Sequence, residues 1–565
     1  MDPVADAESG ILTFMPGEVC VVLRSTEPID EADVEGIYEA LGHELGLLTI
    51  NEHGDRVLPR LREARWQVRP FVLFTPTEAL TPTKALTLTE EKGPRLLCFY
   101  LIPEYPEDPE ALADKDVVVK LVGLTNRYVT AANDELAAAA RGGRESPIDP
   151  RARAVDRRLT VEAYTQNWLL GAHWWEITPG PAAPPEPAPA GLYDWVVQDA
   201  QLRLDQAVAG DKQPGENPVV AVLDTSPEPG AINAPHFHNW LLDKLNNEVP
   251  VGLFSFGGTL STPGSYFTAD PILRQTLARW RGHSQQVPGR PIQDFDIRDH
   301  GLAVAGIVRS IAPRAPIHLI RVLSDYGVGD ELPITNCLAA LPAAFMAGGR
   351  RLVTNLSLGA AFPLGISITN PVQMSLRNPV ETLSQNGALI AAAAGNDADD
   401  RPFQSWPGPG RPDPRLPAAY PFVCAVGAVR RDENAAEYSN MADTQPPFDD
   451  TAAFGGNAVR VPAASPPRTL TNNGAALSLY TAPTFPLSLN AANNSGWAYW
   501  AGTSFATPVI SALAANRWAH DSIPSSQQVR TYLTGRAQIS VSPNKGAAQG
   551  ALNAFCLSTV DVDQT

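Results

Sequence analysis

A serine, a histidine and an aspartate each stand where a buried element is predicted to begin or end. Ser504 lies in GTSFATP, directly before the apolar helical pattern FATPVISALAANRWA. His300 opens the apolar segment HGLAVAGIVRSIA, and Asp224 closes the apolar segment NPVVAVLD. A hydroxyl, an imidazole and a carboxylate perform acyl transfer when the imidazole activates the hydroxyl and the carboxylate orients the imidazole. The three residues are therefore candidates for a nucleophile, a general base and an orienting acid.

Helix dipoles favour the first two of these roles. A serine at a helix N-terminus has backbone N–H groups and positive partial charge nearby, which stabilise a developing oxyanion. Thr507-Pro508 is predicted to lie in the first turn, where the N–H that proline lacks would be unpaired anyway. The same positive end favours the neutral imidazole of His300 that a base needs. Each residue taken singly also fits a purely structural interpretation: Ser504 as a helix cap, His300 as a surface histidine and Asp224 as a turn residue.

The three motifs together, VAVLD, HGLAVAG and GTSFATP in that order, resemble the signature segments of the subtilisin-like serine peptidases. The resemblance covers about residues 192–555. It implies Asp224 as the orienting acid, His300 as general base and acid, and Ser504 as the nucleophile.

Two further segments match this family. GALIAAAAGN ends in Asn396, which the resemblance implies as the side-chain donor of the oxyanion hole. Taken alone, Asn396 is a turn residue after glycine. NLSLG contains Ser357, Leu358 and Gly359, whose backbone is implied to pair with an extended substrate.

The sequence departs from the family at a few places. Ser226 stands where glycine is usual, and Leu302-Ala303 stands where Thr-His is usual. The segments between the motifs are long, with insertions expected around residues 230–298 and 461–497. Such loops border the cleft and narrow the choice of substrate.

The elements that must position these residues alternate between strand and helix after residue 192. The strand-like runs lack polar alternation, which indicates strands buried on both faces. They are NPVVAVLD, PIHLIRVL, RLVTNLSLG, GALIAAAAGN and FVCAVGAV, with helices predicted at HGLAVAGIVRSIA and ITNCLAALPAAFMAGG. We therefore predict an α/β fold, a subtilisin-like three-layer α/β/α arrangement with a mostly parallel sheet, over residues 192–560.

A smaller α+β domain is predicted to precede it, over residues 1–177. Strands are predicted at GEVCVVLRS, RPFVLFTP, RLLCFYLIP and DVVVKLVGL, and helices at IDEADVEGIYEALGHEL and VDRRLTVEAYTQNWLL. The Pro/Ala-rich stretch 178–191 is predicted to be a semi-rigid linker. The family resemblance implies a propeptide-like region here, so we expect an inhibitory or partner-sensing domain, a zymogen, and a protein activator that acts on it.

Composition excludes several classes of function. The formal net charge of -18 argues against binding nucleic acid or an anionic membrane. The first twenty residues lack a signal-peptide pattern, and no apolar run reaches the length of a membrane span, so we expect a cytoplasmic protein. Five scattered cysteines argue against a disulfide framework or zinc ribbon. Cys337 and Cys424 lie in apolar runs and are expected to be buried.

No cofactor is required by the expected reaction. His236 and His238 form an HxH pair without enough further ligands for a metal site. Asp397, Asp399 and Asp400 follow Asn396. These aspartates form a solvated acidic loop, bind calcium, or select a basic residue at the cleavage position of the substrate.

The sequence thus favours a serine endopeptidase that acts on a protein or peptide. The alternative is a catalytically silent binding protein that keeps the fold. A third interpretation is a processing protease that stays inactive until a partner binds its N-terminal domain.

Overall fold

The computed structural model describes part of the chain. The described residues are 14–25, 65–70, 95–104, 159–171, 186–187, 193–197, 199–213, 216–225, 254–256, 300–323, 327–360, 374–396, 414–429, 439–440, 451–454, 456–459, 469–479, 497–520, 523, 525–536, 539–540, 550–551 and 555–559. The chain divides into two compact units. One comprises Met1–Trp168, Asp330–Ala344 and Gly365–Thr382, and the other Leu169–Gly329, Phe345–Leu364 and Leu383–Thr565.

The first unit contains an antiparallel sheet from the N-terminal region. Its strands are β1 (Phe14–Ser25), β2 (Arg65–Pro70), β3 (Arg95–Glu104) and β4 (Leu159–Gly171), in the order β4-β1-β3-β2. The last three residues of β4, from Leu169 onward, belong to the second unit. The predicted strands GEVCVVLRS and RLLCFYLIP lie within β1 and β3. RPFVLFTP overlaps β2 only at its first two residues, and its remainder lies outside the described residues, as do DVVVKLVGL and IDEADVEGIYEALGHEL.

The helix predicted at VDRRLTVEAYTQNWLL is wrong, because this segment forms β4. It is rich in β-branched and aromatic residues, which fit a pleated sheet. Val21 of β1 lies opposite Tyr164 of β4 and Phe99 of β3, so pairing between strands that are distant in sequence decides the structure of this segment.

The second unit begins with short elements that lead to the first strand of its main sheet. They are β5 (Glu186–Pro187), β6 (Tyr193–Val197), α1 (Ala200–Asp211), β7 (Val219–Asp224) and β8 (Phe254–Phe256). The middle of the chain gives α2 (His300–Ile311), β9 (Ile317–Arg321), β10 (Val328–Asp330), α3 (Glu331–Leu341), β11 (Leu352–Leu356), β12 (Gly359–Ala360), α4 (Met374–Gln385), β13 (Leu389–Ala393) and β14 (Cys424–Val429). Of these, α3 and most of α4 belong to the first unit.

The C-terminal part supplies the helix that follows the GTS motif. Its elements are β15 (Thr451–Phe454), β16 (Gly456–Val459), β17 (Thr469–Leu479), β18 (Trp497–Trp500), α5 (Thr503–Trp518), α6 (Ser526–Arg536), β19 (Ile539–Ser540), β20 (Gly550–Ala551) and β21 (Phe555–Thr559).

Nine of the described strands form one sheet, in the order β19-β20-β15-β14-β13-β11-β7-β9-β8. From β15 to β8 the neighbours are parallel, as the unbroken apolar runs predict. Every residue of β7, β11 and β13 is buried. The carboxyl ends of these strands therefore meet at one edge, where Asp224 and the residues that follow β11 and β13 lie.

Helix α5 is the central helix of this unit. It packs against β11, β13 and β14, and also against α1 and α2. Every residue from Thr503 to Asn516 is buried, which explains why its sequence is apolar on all sides. Trp500, just before α5, and Phe505, within it, are among the largest fully buried side chains of the described residues.

Two arginines hold the far end of α5. Arg517 and His520 both contact the buried carboxylate of Asp205 on α1, each at 3.0 Å. Arg351, just before β11, donates to the backbone carbonyl of Trp518 and, at 3.1 Å, to that of His520. A cation at a helix C-terminus also complements the helix dipole.

Other details bear on the predictions. The helix predicted at ITNCLAALPAAFMAGG ends at Leu341 and continues as a π-helical turn from Pro342, because proline offers no N–H to the preceding turn. Cys337 and Cys424 are free and buried, as predicted, and burial raises the pKa of the Cys337 thiol. Within the described residues, no helix combines the length and apolarity needed to cross a membrane.

Candidate active site

Asp224 and His300 are joined at the edge where β7 ends and α2 begins. The His300 Nδ1 lies 2.7 Å from Asp224 Oδ1, and both side chains are fully buried. Asp224 Oδ1 also accepts the backbone N–H of Thr225 at 2.6 Å. Because a carboxylate only accepts, Nδ1 carries the proton in the neutral ring, and Nε2 is left as the basic nitrogen.

Gly301 lets α2 approach the end of β7. Its N–H donates to Thr225 Oγ1 at 2.9 Å. A Cβ on residue 301 would lie 2.0 Å from the Thr225 carbonyl oxygen and 2.9 Å from Asp224 Cβ. The close approach of α2 to the end of β7 therefore requires glycine at position 301, and it sets the distance between the carboxylate and the imidazole.

Two aromatic rings enclose the imidazole of His300. Trp500 meets it edge-on with ring centroids 5.3 Å apart, and Phe505 lies at 5.2 Å. Trp500 and Phe505 also contact each other at 4.9 Å. His300 Nε2 has no hydrogen-bond partner in the described part of the chain. The base is thus held in an apolar surrounding with its reactive nitrogen uncommitted.

Ser504 is the second residue of α5, next to Phe505. Its hydroxyl donates to the Ser357 carbonyl at 3.3 Å, and the Ser357 hydroxyl donates to the Ser504 carbonyl at 2.7 Å. Ser504 directly precedes Phe505, which contacts His300, and its hydroxyl is bonded to the segment that follows β11. Nucleophile–base hydrogen bonds are often formed only once substrate is bound.

Pro508 lies deeper in α5 than the sequence suggested. The helix begins at Thr503, so Pro508 is beyond the first turn. The N–H of residue 508 would have been the helical partner of the Ser504 carbonyl. The prediction of a first-turn proline is therefore wrong, and the proline removes a hydrogen bond from the residue that bears the candidate nucleophile.

Asn396 follows β13 and is fixed through its amide oxygen. Asn396 Oδ1 accepts the backbone N–H of Thr503 at 2.9 Å and the Thr503 hydroxyl at 3.0 Å. Thr503 Oγ1 in turn accepts the N–H of Gly395 at 3.2 Å. A backbone N–H can be accepted only by the amide oxygen, so this side chain donates through Nδ2. Thr503 sets this orientation, and reading the sequence alone did not identify that role.

Ser357, the first residue after β11, exchanges two hydrogen bonds with Ser504. Ser357 and Leu358 are buried, and Gly359 begins β12. Gly359 and Ala360 pair antiparallel with Gly171 and Leu170 of β4. The strand expected to receive a substrate thus already pairs with another part of the chain.

Asn355 and Ser511 are polar residues near the site that sequence reasoning missed. Ser511 Oγ donates to Asn355 Oδ1 at 3.0 Å, and Asn355 Nδ2 donates to Ser357 Oγ at 3.0 Å. All three side chains are fully buried. The signal was present in the spacing, since Ser511 lies two helical turns after Ser504 and Asn355 lies two strand positions before Ser357.

The remaining predictions concern the departures and metal ligands. Leu302 and Ala303 are both buried within α2, so apolar residues fill these positions. The described residues contain no group of three or more His, Cys, Asp or Glu that could hold a metal ion. The other positions named for these roles lie outside the described residues: Ser226, His236, His238, Asp397, Asp399 and Asp400.

The sequence of this chain is also similar to known proteins. A sequence model of the Subtilase family matches residues 215–555. Subtilisin-like protease 7 of Trichophyton verrucosum is 27% identical over 153 residues, which cover 26% of this chain and 33% of that protein. Minor extracellular protease Epr of Bacillus subtilis (strain 168) is 28% identical over 157 residues, which cover 26% of this chain and 20% of that protein. The match therefore spans a third or less of these relatives.

A solved structure of a cold-adapted subtilisin-like serine proteinase is similar over 60% of this chain and 89% of that chain, with 19% identity and a TM-score of 0.35. The family match includes β7, α2, β11, β13 and α5, the elements that carry the candidate site residues. The predicted three-layer α/β/α fold is confirmed, and the chain belongs to the subtilase family.

Proposed function

We propose that this chain is a serine endopeptidase that works through an acyl-enzyme. The observation that carries the proposal is the buried 2.7 Å contact between His300 Nδ1 and Asp224 Oδ1. It fixes the tautomer that leaves Nε2 basic, on an imidazole that contacts Phe505, the residue next to Ser504. Burying a polar nitrogen without a hydrogen bond costs free energy of folding, and a histidine with only a structural role would not be expected to carry that cost.

The reaction follows from the groups present. Ser504 turns its hydroxyl from the Ser357 carbonyl to His300 Nε2, which takes the proton as Oγ attacks the scissile carbonyl carbon. Asp224 stabilises the imidazolium that forms. Asn396 Nδ2 and the backbone N–H of Ser504 donate to the oxyanion. His300 then protonates the leaving amine, and it deprotonates the water that hydrolyses the ester.

The substrate class is an extended polypeptide. The backbone of Ser357, Leu358 and Gly359 offers a strand edge, and strand addition recognises peptide regardless of much of its sequence. Leu170 and Gly171 already use this edge, which supports an endopeptidase that accepts chain on both sides of the cleaved bond.

The N-terminal region is proposed to restrain the peptidase. Leu170 is fully buried where it pairs with Ala360. A peptide substrate and this segment would compete for the same edge. A partner that binds the N-terminal region and withdraws Leu170 would therefore act as a protein activator.

The direct test compares peptide hydrolysis by the wild type, Ser504→Ala and the control Ser384→Ala, using a mixed peptide library. Loss of a triad nucleophile lowers kcat by about 10⁶-fold, whereas Ser384, half-exposed at the end of α4, should be replaceable. Equal turnover by the wild type and Ser504→Ala would reject the proposal. Binding of library peptides without turnover would favour the catalytically silent binding protein.

A further inference from the structure

The carbonyl of Ser504 lacks the hydrogen bond that its helix would normally provide. In an α-helix the N–H of residue i+4 donates to the carbonyl of residue i. Residue 508 is proline, which has no N–H. A buried carbonyl without a donor is costly, and this one belongs to the candidate nucleophile.

Ser357 supplies the missing donor from outside the helix. Its hydroxyl lies 2.7 Å from the Ser504 carbonyl oxygen, in a fully buried position. This distance is at the favourable end for an O–H donor. The bond connects α5 to the segment after β11, whereas a helical bond would have connected Ser504 only to its own helix.

The direction of the Ser357 hydroxyl is set by two further buried groups. Asn355 Nδ2 donates to Ser357 Oγ, so the proton of that hydroxyl must point elsewhere. Asn355 is oriented in turn by Ser511, whose hydroxyl donates to Asn355 Oδ1. The chain of donors therefore runs from Ser511 through Asn355 and Ser357 to the backbone of Ser504.

We propose that Ser357 is a positioning residue, whose hydroxyl replaces the N–H absent from Pro508 and fixes the backbone of Ser504 relative to the strand that receives the substrate. The proposal rests on the proposed peptidase function. When the Ser504 hydroxyl turns to His300, its bond to the Ser357 carbonyl is lost, but the backbone bond from Ser357 Oγ remains. The nucleophile can thus rotate about its side chain while its main chain stays in place.

The test is a double-mutant cycle with Ser357→Ala and Pro508→Ala in the full-length chain. Ser357→Ala should lower kcat about tenfold with little change in KM, because a misplaced nucleophile affects the chemical step. Alanine at 508 restores an N–H that donates to the Ser504 carbonyl. In that background the effect of Ser357→Ala on kcat should shrink to about twofold, because the Ser504 carbonyl keeps a donor when the Ser357 hydroxyl is removed.

The cycle isolates the proposed bond from other effects. Ser357→Ala deprives Asn355 of its acceptor in both backgrounds, so that cost cancels. The matched control is Ser310→Ala in α2, whose hydroxyl donates to the Gly306 carbonyl at 2.9 Å. Residue 310 is not proline, so that carbonyl has its own helical donor, and kcat should be unchanged.

A tenfold or greater loss from Ser357→Ala in both backgrounds would overturn the inference, and so would a change confined to KM. The same cycle measured on urea unfolding decides the hydrogen bond without any activity, since the two substitutions should be coupled only if Ser357 replaces the missing N–H. An inactive wild type would overturn the proposed peptidase, whereas absent coupling in unfolding would overturn the role of Ser357.

Discussion

Asp224 and His300 lie 76 residues apart in the sequence and share a fully buried hydrogen bond of 2.7 Å. The bond exists because β7 ends where α2 begins, and because Gly301 allows the two backbones to touch. The carboxylate can accept only from the Nδ1 proton, so it selects one tautomer of the ring.

Asp224→Asn should therefore abolish most of the activity while the fold is retained. An asparagine amide can donate to Nδ1 and so stabilise the other tautomer, which leaves Nε2 protonated and unable to act as a base. The equivalent change in a Ser-His-Asp triad lowers kcat by about 10⁴-fold. Steady-state kinetics would measure it, with Asp211→Asn at the exposed end of α1 as the control. Comparable kinetics for Asp224→Asn and wild type would exclude Asp224 from the mechanism.

Thr503→Val should lower kcat about tenfold without a matching change in KM, because the hydroxyl that helps to hold Asn396 Oδ1 is lost. Thr503→Ser keeps the hydroxyl and should restore the rate. Asn396→Leu removes the donor itself and should cost about 10²–10³ in kcat. In the Asn396→Leu background, Thr503→Val should have little further effect. A full tenfold loss there would show that Thr503 acts on something other than Asn396.

Gly301→Ala and Gly210→Ala should have opposite effects on stability. A Cβ at 301 would collide with the Thr225 carbonyl oxygen, whereas a Cβ at 210 in α1 meets nothing within 4 Å. The first change should destabilise the chain and separate Asp224 from His300. The second should stabilise it by about 0.5–1 kcal/mol, because alanine favours a helix over glycine. Urea unfolding of both variants measures this, and an unaltered midpoint for Gly301→Ala would contradict the packing.

His318 should make the folded state less stable in acid. Burial, with a smaller effect of the Arg350 charge, lowers its pKa from 6.5 to about 4. As the pH falls from 6.5 toward 4, the unfolded chain takes up a proton here that the folded chain does not, so the free energy of unfolding decreases. The full contribution is on the order of 3 kcal/mol. His318→Phe keeps a ring against Phe345 and should remove this component, so an identical pH dependence of unfolding in both proteins would refute it.

Leu170→Asp should raise peptide hydrolysis, because a buried carboxylate would free the edge of β12. Leu204→Asp, at an exposed site on α1, is the control. Unchanged activity of Leu170→Asp would count against the restraint.

The pairing of Gly171 with Gly359 also predicts where the chain cleaves itself. If the same register continues, the second residue after Gly171 lies opposite Ser357, next to Ser504. Self-cleavage should therefore occur between His173 and Trp174, and mass spectrometry should find this cut in wild type but not in Ser504→Ala.

The parts of the fold that the sequence predicted are those with unbroken apolar runs. The strands β7, β9, β11, β13 and β14 and the helix α2 follow from composition and spacing, because burial on both faces leaves little choice of residue. Strand β4 was missed because its pairing with β1 depends on residues more than a hundred positions away. Local pattern cannot weigh that contact.

The candidate site shows the same division. Asp224, His300, Ser504 and Asn396 stand at element ends, where motif and topology indicate them. Thr503 and the residues that support Ser357 are ordinary polar side chains within elements, and only the crossing of α5 over β11 brings them together. Pro508 was misjudged because the helix begins at Thr503, two residues before the apolar pattern that starts at Phe505, and helix starts cannot be read from sequence more closely than this.

The connection between β11 and α5 has a consequence for how this chain tolerates changes in length. Arg351 before β11 reaches the end of α5 at Trp518, and Ser357 after β11 reaches its start at Ser504. At the rise of a strand, the distance from Arg351 to Ser357 is about 20 Å. At the rise of a helix, the distance from Ser504 to Trp518 is about 21 Å. The two segments therefore have nearly the same length. An insertion or deletion in either segment would break the contact at one of its ends. Evolutionary changes in length are therefore expected to collect in the loops that leave these two elements.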